Sequence, residues 1–207
     1  MEFSRKNYRP DYKKRNVREE KMAMRAVFKE KRKSLDPKVK AEMDALVCQR
    51  LSSLLSIRYA DEILSFSPLT GEIDVTSFNE TMLKSGKKFY LPRCIKGTNE
   101  MNFHLVSSMD ELENGSFSIM EPSEDAPKWE NKDGVNAVCI IPAMSYDKNG
   151  YRLGYGKGYY DRHLSSKNVM KIGICYTDFL SEEIPRGRFD LSVDIIVTEK
   201  GIINCKK

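Results

Sequence analysis

A chain of 207 residues with 40% apolar and 31% charged residues has the composition of a globular protein, long enough for one domain with a sizeable core. No run approaches the ~18 apolar residues of a membrane span, and the opening Met-Glu-Phe-Ser-Arg-Lys lacks the apolar centre of a signal peptide, so a cytoplasmic home without membrane association is expected. The five cysteines, Cys48, Cys94, Cys139, Cys175 and Cys205, are scattered without a Cys-x-x-Cys pair, and only His104 and His163 accompany them, which argues against a disulfide framework, a zinc site or Cys–His catalysis.

The net charge of +5 has its excess at the N-terminus, where Arg5, Lys6, Arg9, Lys13, Lys14, Arg15 and Arg18 stand among few apolar side chains. Residues 1–17 read as a basic, solvated tail and 18–207 as the folded domain. A nucleic-acid arm is the other reading of the tail, but it carries no module signature, and Tyr8 and Tyr12 are too few for a stacking platform. From Arg18 to Leu35 the spacing of Met24, Val27 and Phe28 predicts a helix. Asp36-Pro37 reads as an N-cap followed by proline at the first helical position, opening a second helix with Val39, Met43, Leu46, Val47, Leu51 and Leu54 on one side.

Glu62–Phe66 predicts a strand, followed by a turn through Pro68 and Gly71 and a helix carrying Val75, Phe78 and Met82, closed by Gly86. Lys88–Leu91 is the next strand, ended by Pro92, and strand–helix–strand at this spacing favours parallel pairing. Met101–Val106 alternates as a strand, and residues 121–134 form a polar loop. Asn136–Ile141 has the continuous apolar character of a central strand covered on both faces. Gly158–Leu164 predicts a helix start; Met170–Cys175 and Val193–Val197 predict two further strands, with Cys139 and Cys175 as reduced core residues. The fold class expected is α/β: one domain with a mainly parallel central sheet, flanking helices and two helices at its N-terminal end.

Arg152-Leu-Gly-Tyr-Gly-Lys-Gly-Tyr-Tyr-Asp161 begins about ten residues after that central strand, at the end where open α/β sheets bind ligands. Alternating Gly154, Gly156 and Gly158 permit positive φ and close approach to a ligand, and successive backbone N–H groups form an anion nest. Lys157 and Arg152 add positive charge, and Asp161 a hard oxygen suited to Mg²⁺. The run is neither a Walker A loop, because Gly158 and not Ser or Thr follows Lys157, nor a dinucleotide fingerprint. Bare glycine alternation also fits a tight structural loop; the flanking charges direct it to nucleotide triphosphate chemistry.

Ile141-Pro-Ala-Met-Ser-Tyr-Asp-Lys-Asn-Gly-Tyr-Arg-Leu-Gly-Tyr-Gly-Lys-Gly-Tyr-Tyr-Asp161 resembles the signature of the 5-formyltetrahydrofolate cyclo-ligases, also called 5,10-methenyltetrahydrofolate synthetases. Lys21-Met-Ala-Met-Arg25, Ser67-Pro-Leu-Thr-Gly-Glu-Ile-Asp74, Leu91-Pro-Arg93 and Val193-Asp194 extend the similarity, in order, over about residues 18–198. The resemblance implies an ATP- and Mg²⁺-dependent closure of 5-formyltetrahydrofolate, possessing or lacking a polyglutamate tail, to 5,10-methenyltetrahydrofolate with release of ADP and phosphate, by a monomer.

Carried over residue by residue, it places Lys21 and Arg25 beside the triphosphate, although alone they also fit a solvated helix face. It wraps the phosphates with Arg152, Leu153, Gly154, Tyr155, Gly156, Lys157, Gly158, Tyr159 and Tyr160, with Lys157 and Arg152 as the catalytic cations and Lys157 on the γ-phosphate. Asp161 and Asp194 would hold Mg²⁺; an edge-strand carboxylate is the other reading of Asp194. Glu72 would take the two-donor edge of the pterin, or else serve as a helix N-terminal charge. Ser67, Tyr159 and Tyr160 would line the folate pocket, Arg93 and Lys96 would steer the glutamate tail or phosphate, and Trp129 would cap the pocket or anchor packing. Two rivals remain at this point: a non-catalytic nucleotide- or sugar-phosphate-binding protein of similar sheet architecture, and an RNA-associated protein that uses the basic tail.

Overall fold

The computed structural model describes residues 16–116 and 119–205; the basic stretch up to residue 15 lies outside them. Asn16 caps helix α1 (Val17–Lys33) by accepting from the Glu19 N–H. Asp36 caps α2 (Pro37–Ser53) through the Lys38 and Val39 N–H groups, with Pro37 at the first helical position. A single turn, α3 (Leu55–Arg58), leads into strand β1 (Glu62–Leu64), helix α4 (Thr76–Lys84) and strand β2 (Lys88–Cys94). Gly86, at φ +76°, lies just past α4 as the left-handed stop.

β1 and β2 pair in parallel, as the strand–helix–strand spacing predicts. β2 runs past Pro92, where a stop was expected, because β1 ends opposite Tyr90 and the remainder of β2 pairs only with antiparallel β3 (Met101–Leu105). Such an edge position tolerates a residue without an N–H. A two-stranded ribbon, β4 (Glu113–Asn114) with β5 (Met120–Glu121), follows. Then come β6 (Ala137–Pro142), a hairpin of β7 (Ser145–Asp147) and β8 (Arg152–Leu153), helix α5 (Tyr159–Leu164), β9 (Met170–Ile174), β10 (Leu180–Ser181), β11 (Ile195–Val197) and β12 (Ile202–Asn204).

The main sheet has the order β12-β11-β9-β6-β1-β2-β3, parallel from β11 through β2 and antiparallel at both edges. From β1 the chain builds toward β2, and from β6 it builds the other way toward β9. Loops leaving the carboxyl ends of neighbouring β1 and β6 therefore diverge, which makes this the switch point where open α/β sheets place ligands. Among the described residues no helix is long and apolar enough to cross a membrane.

Register places Tyr90, Leu64, Cys139 and Lys171 side by side on one face, since partners in adjacent strands project alike. The β7–β8 hairpin folds back over β9. Its Tyr146 is fully buried, donates its hydroxyl to the Ile141 carbonyl at 2.9 Å, and rests its ring on Gly173 of β9. A Cβ at Gly173 would lie 2.6 Å from that ring. The fully buried ring would have to shift, so Gly173→Ala is expected to destabilise the fold by about 1–3 kcal/mol. Urea unfolding checks this; an unchanged midpoint would refute the Tyr146–Gly173 contact.

Candidate active site

The side of α1 turned to the protein carries Lys21, Met24, Arg25, Phe28 and Arg32, whereas Val27, expected on the apolar face, is 66% exposed. Met24 and Phe28 pack against Met144, Leu153 and Ile184, and Phe28 also meets Phe179, with ring centroids 5.9 Å apart. This apolar contact holds Arg25 and Arg32 against the segment after β8 and Lys21 against the segment before β11. Lys21 pairs with Asp190 at 2.6 Å, and Arg25 donates its Nε to the Gly154 carbonyl at 2.7 Å. Arg32 donates to the Tyr155 hydroxyl at 2.6 Å and to the Ala143 carbonyl at 2.5 Å. Burial lowers the Arg25 pKa, with Asp190 opposing. Lys21 and Arg25 are thus on the docked face and not on a solvated one.

Arg152 and Leu153 are not loop residues but the buried strand β8, because the hairpin pairs them with Tyr146 and Ser145. Gly156 and Gly158 take φ of +100° and +70°, as expected of a ligand loop, while Gly154 does not take positive φ. A side chain at Gly156 would in addition come within 3.3 Å of the Arg25 guanidinium carbon. Lys157, at the tip, is exposed, and its ammonium has no ion pair among the described residues. Arg162 fastens the loop by donating to the carbonyls of Lys157 and Asn99. Gly158 caps α5, a helix of only six residues.

Arg152 is 7% exposed, pairs with Asp161 at 2.8 Å and stands over the Tyr160 ring at 5.6 Å. The other Asp161 oxygen accepts from the Leu191 N–H at 3.1 Å. Asp194 accepts from the Lys171 N–H at 2.8 Å, with the Lys171 ammonium at 3.8 Å. Burial is the main cause of a Cys139 thiol pKa pushed up to about 12, with the Arg152 and Lys171 charges opposing it. Among the described residues no group of three or more His, Cys, Asp or Glu is placed to hold a metal. Two hard carboxylates suit Mg²⁺ that arrives with phosphate oxygens and water, and not an all-protein cage.

Glu72 lies in the loop after β1, only 4% exposed, and accepts from the Leu69 N–H at 2.9 Å. The Glu72 charge acts on the Tyr155 hydroxyl, which accepts from Arg32. Burial is the main cause of a Tyr155 pKa pushed up to about 12, the Glu72 charge the next. Tyr160 is packed against Phe103, and its hydroxyl feels the charges of Glu72 and Arg152. Burial raises the Tyr159 pKa, with Cys94 the next cause, and Ser67 donates to the Met120 carbonyl at 2.7 Å.

Trp129 is a packing anchor: it is buried and donates to buried Glu62 at 2.7 Å. Arg93 is engaged by the Pro122 carbonyl at 2.7 Å and by Glu113 at 3.4 Å, while Lys96 is exposed. The sequence pattern overlooked Arg32 and Asp190. Arg32 continues the spacing of Lys21, Arg25 and Phe28 by one more turn, which was the available signal. A hollow of about 410 Å³ beside Leu55 and Tyr59 and another of about 460 Å³ beside Leu83 and Met109 include none of these residues.

Burial raises the Glu72 carboxyl above its ordinary pKa, partly offset by the Leu69 N–H, Arg32 and Tyr155. A carboxyl raised by folding contributes its stability below its ordinary pKa and loses it as pH rises through the folded value. Glutamine does not titrate. The melting temperature of Glu72→Gln minus that of the wild type should therefore grow between about pH 4 and pH 7. A difference independent of pH would show that Glu72 ionises freely.

The profile of the 5-formyltetrahydrofolate cyclo-ligase family matches residues 17–199. The chain is 32% identical in sequence to a 5,10-methenyltetrahydrofolate synthetase from Aquifex aeolicus whose structure superposes with a TM-score of 0.78, covering 90% of this chain and 93% of that one. A second such synthetase structure, from Mycoplasma pneumoniae, superposes with a TM-score of 0.68 at 25% identity, covering 86% of this chain and 98% of that one. The 5-formyltetrahydrofolate cyclo-ligase of Escherichia coli K12 is 27% identical over 179 residues, 83% of this chain and 96% of its own length. With a matching profile over nearly its whole length and the same sheet beneath its glycine loop, the chain belongs to the 5-formyltetrahydrofolate cyclo-ligase family, and it is an enzyme of the ligase class.

Proposed function

We propose that this enzyme closes 5-formyltetrahydrofolate to 5,10-methenyltetrahydrofolate at the expense of ATP, as the names of its relatives suggest. The observation that carries the reading is a glycine loop whose lysine has no ion pair among the described residues, held by Arg25 and Arg32 of α1, with the charge of buried Glu72 acting on its Tyr155 hydroxyl. Polyphosphate chemistry and pterin recognition would then share a single wall.

An amide oxygen is a poor leaving group until it is phosphorylated. In the proposed reaction the formyl oxygen attacks the γ-phosphorus, and ADP departs with the electrons of the broken P–O bond. N10 then attacks the formyl carbon and gives up its proton, and phosphate leaves with the former formyl oxygen. Such transfers depend on positioning and charge neutralisation more than on a protein nucleophile. Lys157 would meet the charge of the γ-phosphate, and Lys21 and Arg25 the remaining phosphates. Arg152, aimed by Asp161, supplies a fixed charge beneath the loop. Asp161 and Asp194 would hold Mg²⁺ brought with the nucleotide, which neutralises phosphate charge when bound. Glu72 would accept from the two-donor edge of the pterin, with Tyr160 alongside. Ser67 and Tyr159 would border the folate side, with the Ser67 hydroxyl already donating to the Met120 carbonyl.

Both histidines support this non-histidine chemistry. His104 and His163 bond their Nδ1 atoms to the Ala126 and Met101 carbonyls, and burial lowers the pKa of each. The direct test mixes protein, Mg-ATP and 5-formyltetrahydrofolate and follows methenyl absorbance; folded protein that gives no signal would remove the proposal. Lys157→Ala should lower kcat by at least about tenfold, because charge develops there in the transition state. Unchanged turnover by the folded variant would take Lys157 out of its role.

A further inference from the structure

Of the three α1 cations, Arg25 and Arg32 donate to neutral acceptors: the Gly154 and Ala143 carbonyls and the Tyr155 hydroxyl. Lys21 instead meets a carboxylate, Asp190, at 2.6 Å. The same carboxylate is the charge that opposes burial at Arg25. A single acid thus serves both cations assigned above to nucleotide phosphates. Arg186 and Arg188, in the segment that leads to Asp190, lie over the rings of Tyr151 and Phe189.

Asp190 is fixed by its own backbone turn. The oxygen that meets Lys21 also accepts from the Gly187 N–H at 2.6 Å, and the Asp190 N–H donates back to the Gly187 carbonyl at 3.3 Å. The next residue, Leu191, donates its N–H to Asp161, the partner of Arg152. The carboxylate is therefore held in place when the ammonium turns to another anion. It is not stranded either: the Gly187 N–H stays on it, and its side chain is 24% exposed, against 12% for Lys21.

We infer that Asp190 is a resident counter-ion, which a nucleotide must displace from Lys21 and which thereby limits how tightly the enzyme holds both ATP and ADP. This rests on the functional reading above, which puts phosphates on Lys21 and Arg25. An incoming phosphate has to break the 2.6 Å pair and then lie beside a fixed negative charge. ADP keeps the phosphates that those two cations would meet, so the same carboxylate hastens its departure. Asp190 is a positioning residue here: it acts through Lys21 and touches no reacting atom. A cost present in every nucleotide-bound state alters affinity and not the chemical step.

The test is calorimetric, on the whole chain, with the magnesium complexes of ADP and of a non-hydrolysable ATP analogue as probes. Asp190→Asn keeps the shape and an acceptor for the Gly187 N–H while removing the charge. It should tighten both probes by about fivefold or more, roughly the worth of one partly exposed ion pair. 5-Formyltetrahydrofolate, measured alone, should bind within about twofold of wild type, a separation that a general loosening of the fold would not give. In Lys21→Met protein the pair is already gone, so adding Asp190→Asn should change nucleotide binding by no more than about twofold. Nucleotide affinity unchanged or weakened in Asp190→Asn, tightening shared by the folate, or equal tightening with and without Lys21 would overturn the counter-ion and leave the functional reading standing. So would an Asp190→Asn protein that does not fold, since the pair would then be a structural strut. Wild type that binds neither nucleotide would overturn both.

Discussion

The site depends on one docking contact, the cationic face of α1 laid against the backbone of the glycine loop. α1 has 17 residues and no fully buried side chain, so little apolar burial retains it. Met24 and Phe28 supply a narrow apolar seam, and beside it Lys21, Arg25 and Arg32 are brought close to carbonyls, a phenol and one carboxylate. Removing such charges from water costs free energy that carbonyl partners return only in part, as the lowered pKa of Arg25 records. Stability alone gives no reason for three cations on the one helix face that touches the loop. An anionic ligand does, because it replaces weak acceptors with strong ones at charges already in position.

The sheet face beneath the loop follows the same logic. Register alone sets Lys171 beside Cys139, and the hairpin carries Arg152 to Asp161. Each cation has its own acid, Asp161 or Asp194, and each acid is also held by a backbone N–H, from Leu191 or Lys171. Asp194 is thus held by the backbone of β9, and Asp161, on α5, by Arg152 of β8 and by the Leu191 N–H of the segment before β11. That rigidity is what a site for charge-driven chemistry needs, since groups that are already oriented do not reorganise as charge moves.

Much of the fold was legible because its signals are local. The Asp36-Pro37 start of α2, the parallel β1–α4–β2 unit, the apolar run of β6 and the helix after Gly158 all arise from caps, periodicity or unbroken apolarity. What escaped depends on contacts distant in sequence. β7 and β8 have only three and two residues, too short for periodicity, and exist because the hairpin packs Tyr146 onto Gly173. Val27 was assigned inward from apolarity, but the docked stripe follows the cations, so the usual apolar-in rule selected the wrong side of one turn. β12 and the β4–β5 ribbon pair with near neighbours in the chain but have only two or three residues per strand, too few to show alternation.

The site shows the same division. Residues inside the Arg152–Asp161 run and at Lys21, Arg25 and Glu72 could be named because their types match the chemistry. Their arrangement could not: Arg152 faces Asp161, Lys21 faces Asp190, and the Glu72 charge acts on Tyr155 of the loop. Lys157 differs from all of these in having no counter-ion among the described residues. A cation already paired must exchange partners when a ligand binds and so contributes mostly to affinity, as a replaced contact. An unpaired, solvated lysine on a positive-φ loop gains its first protein-side partner only with the ligand, and its mobile stem can follow charge from ground state to transition state. Within the proposed reaction this difference assigns binding to the α1 cations and rate to Lys157.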